Sequence, residues 1–458
     1  MIYSQNHQPL RIAVIGSGIS GMLSARLLAT RHQVDVYEAN EHVGGHAHTV
    51  EVAVRDARGC QREIDADVAF MVLNRRTYPN FCQMLAALGV PTQDSDMSLS
   101  VRCLASGLEY QGSSLNGIFS QRKNLFRPTF WKMLRDIARF NSLATTFCES
   151  PDDSLLLGAF LDRCNLGEEF RRHYLIPMSA AIWSSDTNRL EEFPAKFILG
   201  FLHNHGLLQL KDRPQWLTIA DRSRRYVEAL TGPIRNRVFT NTPVLGVHQD
   251  AQVFRVEIDP NRQGQRVSET YDHVVFATHA DQTLRLLSDC NQPEREVLSG
   301  FAYQANEAVL HTDTSVLPRR PRAWASWNYH LPADMSDRVS VTYDLNRLQS
   351  LGLGRPLCLT LNPNCRIKSD AVLKRFEFQH PVFSENSVRS QSRFHEINHQ
   401  RGISFCGAYW GHGFHEDGAN SALAVTERFG IKLADIDRPV IAGRPLMKIN
   451  PGQPTPAS

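Results

Sequence analysis

Ile12-Ala13-Val14-Ile15-Gly16-Ser17-Gly18-Ile19-Ser20-Gly21 is the stretch that decides the fold. A second apolar run, Val34-Asp35-Val36-Tyr37, closes on Glu38, and Gly44-Gly45-His46 follows. The first run has strand length, and three glycines spaced G-x-G-x-x-G separate it from a helix-like stretch. Gly16 permits a tight turn, Gly18 lets backbone approach a pyrophosphate, and Gly21 lets helix and strand pack closely. The N–H groups of Ile19 and Ser20, beside Ser17, would then present the helix's positive end to phosphate. Glu38 lies seventeen residues after Gly21, where a carboxylate accepts hydrogen bonds from ribose hydroxyls. A lone glycine motif is weak evidence, because many helices open on glycine. Strand, glycines, helix, strand and terminal Glu in register predict a dinucleotide site rather than a structural turn.

The Gly44-Gly45 pair favours a flavin over a nicotinamide, since FAD carries a longer ribityl-isoalloxazine arm that must pass close under backbone. The pattern resembles the flavin amine oxidase and phytoene desaturase superfamily, whose N-terminal motif ends Gly-Gly-Arg. Here it ends Gly-Gly-His, with Ala47-His48-Thr49 after it. That variant is similar to a bacterial NAD/FAD-binding branch of amine-oxidase-like proteins. The likeness runs through Thr77-Tyr78-Pro79-Asn80-Phe81, Ile176-Pro177-Met178, Asn204-His205-Gly206-Leu207, Trp324-Ala325-Ser326-Trp327-Asn328-Tyr329 and Phe414-His415-Glu416-Asp417-Gly418. It implies FAD as cofactor, a backbone contact to adenine near Val244, and a flavin contact at Asp417. Branch members are often encoded beside cyclopropane-fatty-acid-synthase-like methyltransferases, which points to acyl chains.

The resemblance implies a Rossmann-type α/β FAD-binding lobe interleaved with a mixed α+β substrate lobe. The expected division gives residues 1–74, 211–289 and 400–445 to the first lobe and 75–210 and 290–399 to the second. A polar, proline-rich tail at 446–458 is expected to be disordered. Strands are expected at Val238–Val247, Ala251–Ile258, Thr270–Phe276 and Ile403–Cys406, and a helix from Ala419 onward. Asp417 would cap that helix, whose dipole would face the flavin.

Composition is ordinary for a globular protein: 458 residues, 42% hydrophobic, 21% charged, formal charge +3. That charge is too mild to argue for nucleic acid, and no such motif occurs. Nine cysteines fall singly, an odd count suiting neither a zinc site nor a disulfide framework. A reducing cytoplasm is the expected compartment. Met1–Leu10 lacks an apolar signal core.

Flavin chemistry moves a hydride to the cofactor, so the protein needs mainly to orient substrate and exclude water. The expected function is an FAD-dependent, amine-oxidase-like oxidoreductase acting on a hydrophobic substrate, a fatty-acyl chain being one candidate. Two rivals use the same scaffold: a flavin-dependent isomerase without net redox, and a non-catalytic lipid-escort protein. Two departures motivate the last. Asp67-Val68-Ala69-Phe70 stands where Asp-Thr-Gly-Phe is expected, and Asp221-Arg222-Ser223-Arg224 where Gly-Gly-Ser-Arg is expected. Positive φ suits Ala and Arg poorly, and Arg222 would narrow the site.

His46 and His48 would share one side of an extended segment. With His203/His205 and His412/His415 they invite a metal reading, but no acidic or Cys-rich context supports it, and no metal is expected. His46 is instead a polar contact near the flavin and, with Trp327, a weak catalytic candidate. Trp324, Trp327, Tyr329 and Trp410 would wall a substrate channel, unless they are ordinary core. From Arg122 to Asn141, Phe130, Met133, Leu134, Ile137 and Asn141 recur at helical spacing against Lys132, Arg135 and Arg139. The stripe suits either a helix on the inner, anionic membrane face or one packed on its own lobe. Substrate identity, electron acceptor and oligomeric state stay open.

Overall fold

The computed structural model describes residues 8–150, 155–183, 187–209, 213–331 and 340–441. The expected tail at 446–458 lies outside them. Arg11–Ile15 forms the centre of a parallel five-stranded sheet, between Gln33–Tyr37 and His273–Phe276. Val238–Phe239 extends one edge and Ile403–Phe405 the other. Ile12, Ala13 and Val14 are wholly buried, as a parallel strand covered on both faces must be. The helix Ile19–Leu28 crosses between the first two strands, and all ten of its residues are buried. This sheet draws strands from both ends and the middle of the chain, so its core closes only when distant segments meet.

A second sheet has seven strands. From one edge inward it runs Val372–Val382, Ala302–His311, Cys358–Leu361, Ser340–Asp344 and Trp327–Leu331, then Leu99–Cys103 and Glu109–Gln111. Its apolar face packs with Phe130 and Met133 of the long helix Pro128–Cys148. Among the described residues no helix is long and apolar enough to cross a membrane.

Four expected elements differ from those observed. Val238–Val247 is two strands, Val238–Phe239 and Val244–Asp250, because Pro243 has no N–H for a ladder. Thr270–Phe276 also divides: Val267–Tyr271 joins a three-stranded meander while His273–Phe276 joins the parallel sheet. Asp272 marks the change, its carboxylate accepting from the Arg11 N–H at 2.7 Å. The C-terminal helix is His415–Glu427, starting four residues before Ala419. The basic stretch is not one helix: Arg122–Phe126 is a 3₁₀ turn, Arg127 is extended, and Pro128 opens the α-helix. A residue before proline is excluded from the α region, which accounts for the break.

Asp67 pins the ribbon Thr49–Arg55/Gln61–Asp67 to Ser223, at the start of the helix Arg224–Thr231, and to Gln349. Its buried carboxylate accepts from Ser223 N–H at 2.9 Å, Ser223 Oγ at 2.6 Å and Thr49 Oγ1 at 2.6 Å. Its backbone exchanges two hydrogen bonds with the Gln349 side chain. Removing the carboxylate strands buried donors, so Asp67→Ala should destabilise by about 2–4 kcal/mol. Asp67→Asn, which keeps an acceptor, should lose less. Denaturant unfolding of the two variants measures this, and an Asp67→Ala midpoint equal to wild type would contradict the assignment.

Candidate functional site

Gly16 takes φ +100°, and a Cβ on it would lie 2.8 Å from the Ala277 oxygen. A Cβ on Gly21 would overlap the Gly16 carbonyl. Gly18 differs: it has an ordinary extended backbone, and a Cβ there would meet no protein atom within 4 Å. Packing therefore demands glycine at 16 and 21 but not at 18. No side chain caps the helix at Gly18, so its first-turn N–H groups stay available to an anion.

Glu38 is folded back over this turn. Its Oε2 accepts from Ser17 N–H at 3.0 Å and Ser17 Oγ at 2.6 Å; its Oε1 accepts from Asn40 N–H and Nδ2, each at 2.9 Å. The Thr242 N–H donates to the Glu38 carbonyl at 2.9 Å, which brings the start of the Val244–Asp250 strand beside the carboxylate. Gly44 N–H donates to the Ser17 carbonyl at 3.0 Å. Gly45 has φ +59°, and a Cβ on it would sit 3.1 Å from the Gly18 Cα. The two glycine turns thus touch.

The C-terminal helix ends at the same place. A Cβ on Gly418 would lie 2.7 Å from Ile19 Cγ2 and 3.0 Å from Ser20 Oγ. Asp417 stands in the first turn and accepts from the Phe414 N–H at 2.9 Å. Burial pushes its carboxyl up to about 6. Its carboxylate serves as the cap, so a flavin would meet backbone there rather than the side chain. The residues present fit an extended dinucleotide: two uncapped or shared helix starts, an open cradle at Gly18, and a buried carboxylate behind it.

His46 and His48 do share a side. His46 lies with ring centroids 5.6 Å from Phe378 and 5.3 Å from His380; His48 lies 5.4 Å from Phe376. The His46 Nε2 is sealed from solvent and has no hydrogen-bond partner. Burial first, then the neighbouring His380 and His279, hold His46 well below its usual range, so it is neutral. His380, kept to about 4 by burial, takes a 2.9 Å bond with Asn306 Nδ2. His415 stacks on Phe70 at 3.6 Å and bonds Tyr226 Oη at 2.9 Å. The wall opposite His46 is therefore Phe376, Phe378 and His380, which sequence reading missed. The period-two run Phe376-Glu377-Phe378-Gln379-His380 carries that signal.

The aromatics expected to line a channel are not one surface. Trp327 packs edge-on against Tyr343, four strands across the sheet from the His380 strand. Tyr329 is core, and Trp410 packs on Phe301 and Phe394. The two departures are also accommodated. Ala69 has no positive φ. Asp221 and Arg222 do take positive φ, at 62° and 76°, and Arg222 offsets that strain by bonding the Asp65 and Gln349 carbonyls at 2.8 and 3.3 Å. Its guanidinium is tied there rather than standing across the glycine turns, which removes the motive for a non-catalytic carrier.

Gly18 and Gly21 separate cofactor binding from folding. Gly18→Ala should leave stability within about 1 kcal/mol of wild type while weakening flavin retention. Gly21→Ala should lower stability by about 3 kcal/mol or more through the overlap with Gly16. Thermal unfolding and the flavin-to-protein absorbance ratio distinguish them; equal stability losses would contradict this division.

The profile of flavin containing amine oxidoreductases matches residues 19–324, well over half of the chain. Among curated proteins, none matches the sequence. Solved structures similar to it include a CLA-producing fatty acid isomerase from P. acnes, with TM-score 0.65 and 14% identity over 93% of this chain and 100% of that one. Cyclohexylamine oxidase from Brevibacterium oxydans IH-35A gives TM-score 0.65 and 14% identity over 92% and 100%. Putrescine oxidase bound to putrescine gives 0.62 and 14% over 92% and 99%. At such identities the structural likeness establishes the fold, and the family match supplies the chemistry. The chain belongs to the flavin-containing amine oxidoreductase family and is an FAD-dependent oxidoreductase.

Proposed function

We propose that the protein oxidises a long, uncharged acyl substrate bound alongside the packed rings of His46, His48 and the strand Val372–Val382. In this reading Gly16, Ser17, Gly18, Ile19, Ser20, Gly21, Glu38, Gly44, Gly45, Val244 and the backbone at Asp417 hold FAD, with His46 beside its reactive end. FAD supplies the acceptor for a hydride leaving a substrate C–H. The observation that carries the proposal is the alternation of Phe376, Phe378 and neutral His380, with Phe376 against His48 and the other two against neutral His46. Such a wall binds hydrocarbon and excludes water.

The start of the helix His415–Glu427 offers no unengaged carboxylate to pair with an ammonium substrate. The two acids at the helix start are already committed: Glu416 accepts from the Asn80 and Phe81 N–H groups, and Asp417 from Phe414. A second reading, isomerisation, is favoured by the unpartnered His46 Nε2 beside His380. The hydride that leaves one carbon of an unsaturated chain would return to another carbon of the same molecule, neutral His46 would help to position the chain, and no acceptor would be consumed.

The test is anaerobic mixing of the purified flavoprotein with unsaturated acyl lipids and with diamines. Acyl lipids should bleach the flavin absorbance and diamines should not. Phe378→Asp should slow bleaching by roughly tenfold or more while leaving flavin content unchanged. Bleaching by diamines alone would reject the acyl reading. Product with shifted double bonds and no lasting bleaching would select the isomerase.

A further inference from the structure

The stripe that sequence periodicity offers to a membrane faces inward. Phe130, Met133, Phe140 and Ala144 of the helix Pro128–Cys148 are buried in the lobe's own core. A different set of residues on the same face stays in water. Phe126 is 87% exposed, Leu115 75%, Trp131 50% and Leu125 42%. Among the described residues, five of the eight exposed large apolar side chains lie between Leu115 and Leu143. That clustering sets this face apart from scattered surface leucines.

The four are held together by local structure. Trp131 Nε1 donates to the Leu125 carbonyl at 2.9 Å, and the Trp131 ring lies 5.4 Å from Phe119. The Phe119 N–H in turn donates to the Leu115 carbonyl at 3.0 Å. The indole's one donor is thus satisfied within the protein, so its ring can enter an apolar medium without stranding an N–H.

Cations surround the patch. Arg122, Lys123, Lys132 and Arg135 are exposed, with Arg127 half-buried. Trp131 and Arg135 stand one helical turn apart. Arg319, Arg320 and Arg322 are exposed around the turn Pro321–Ala323, which packs on the short helix Leu115–Ile118. From Gln111 to Cys148 the only acid is Asp136. It is buried, accepts from the Gly167 N–H at 3.1 Å and pairs with Arg139 at 3.4 Å and Arg135 at 4.0 Å. Glu109 pairs with Arg320 at 3.5 Å, so the excess positive charge rests chiefly on Arg122, Lys123, Arg319 and Arg322.

We propose that this face docks on an anionic lipid bilayer. Phe126, Leu125, Leu115 and Trp131 enter the headgroup boundary while the surrounding Arg and Lys side chains meet lipid phosphates. Charge complementarity selects this occupant, because an apolar patch rimmed by an excess of cations suits a surface that is apolar beneath and negative above. The inference is independent of which substrate the flavin site accepts.

Vesicle co-sedimentation of the full flavoprotein tests it, comparing phosphatidylcholine alone with phosphatidylcholine–phosphatidylglycerol mixtures. Binding should require phosphatidylglycerol and weaken with added salt. The double variant Phe126→Ser/Trp131→Ser should reduce vesicle affinity at least about tenfold, and Arg122→Glu/Lys123→Glu similarly. Leu245→Ser, an exposed apolar position on another strand, should leave it unchanged. Flavin content and melting temperature should be those of wild type in all three. Equal sedimentation on neutral vesicles at high salt, or full binding by the double variant, would overturn the proposal. So would absence of vesicle binding together with self-association that the double variant abolishes, which would make the face a contact between copies.

Discussion

Two helices start at one point in space because Gly418 leaves no Cβ between them, while Gly21 seats the first helix on its own glycine turn. Gly21 lets Ile19–Leu28 settle against the Gly16 carbonyl, and Gly418 lets His415–Glu427 reach Ile19 and Ser20. Everything distinctive about the site follows from that contact. The helix starts bring backbone N–H groups and two positive dipole ends to the same cleft. The Gly44–Gly45 turn closes over it through Ser17, and Glu38 is locked beneath by Ser17 and Asn40. The convergence joins residues almost four hundred positions apart, so no local segment could form this cradle alone.

The cradle was legible in the sequence because backbone geometry, not side-chain packing, dictates it. Positive φ at Gly16 and Gly45 and the close approach at Gly21 each require glycine, and glycine is visible in one dimension. Boundaries governed by pairing partners were harder. Thr270–Phe276 reads as one apolar run, yet its two halves belong to different sheets, and only the partner strands reveal the switch at Asp272. The aromatic wall beside His46 and His48 was obscured for a similar reason. Trp324, Trp327 and Trp410 attract attention as large aromatics, but Phe376, Phe378 and His380 are the ones whose alternation turns them toward His46. The amphipathic stripe at Phe130 shows the limit of periodicity. It marked a buried face correctly, while Phe126 and Trp131, which stand alongside the stripe in the sequence, are exposed.

The exchange of arginine for His46 changes the electrostatics of the site as well as its shape. A guanidinium stays charged in any protein environment, whereas burial keeps His46, His380 and His415 neutral. The region around His46 is accordingly a cluster of uncharged imidazoles and phenyl rings. The turn at Asp221–Arg222 shows how the fold tolerates substitution nearby: two non-glycine residues hold positive φ because Arg222 and Ser223 are tied to Asp65, Asp67 and Gln349.

Hydrogen–deuterium exchange of the protein with and without bound FAD measures the convergence most directly. If one cofactor bridges both helix starts, FAD must slow exchange together at residues 16–22, 38–46 and 413–419. Protection confined to the N-terminal glycine turn, with 413–419 exchanging at the same rate in both states, would contradict the account.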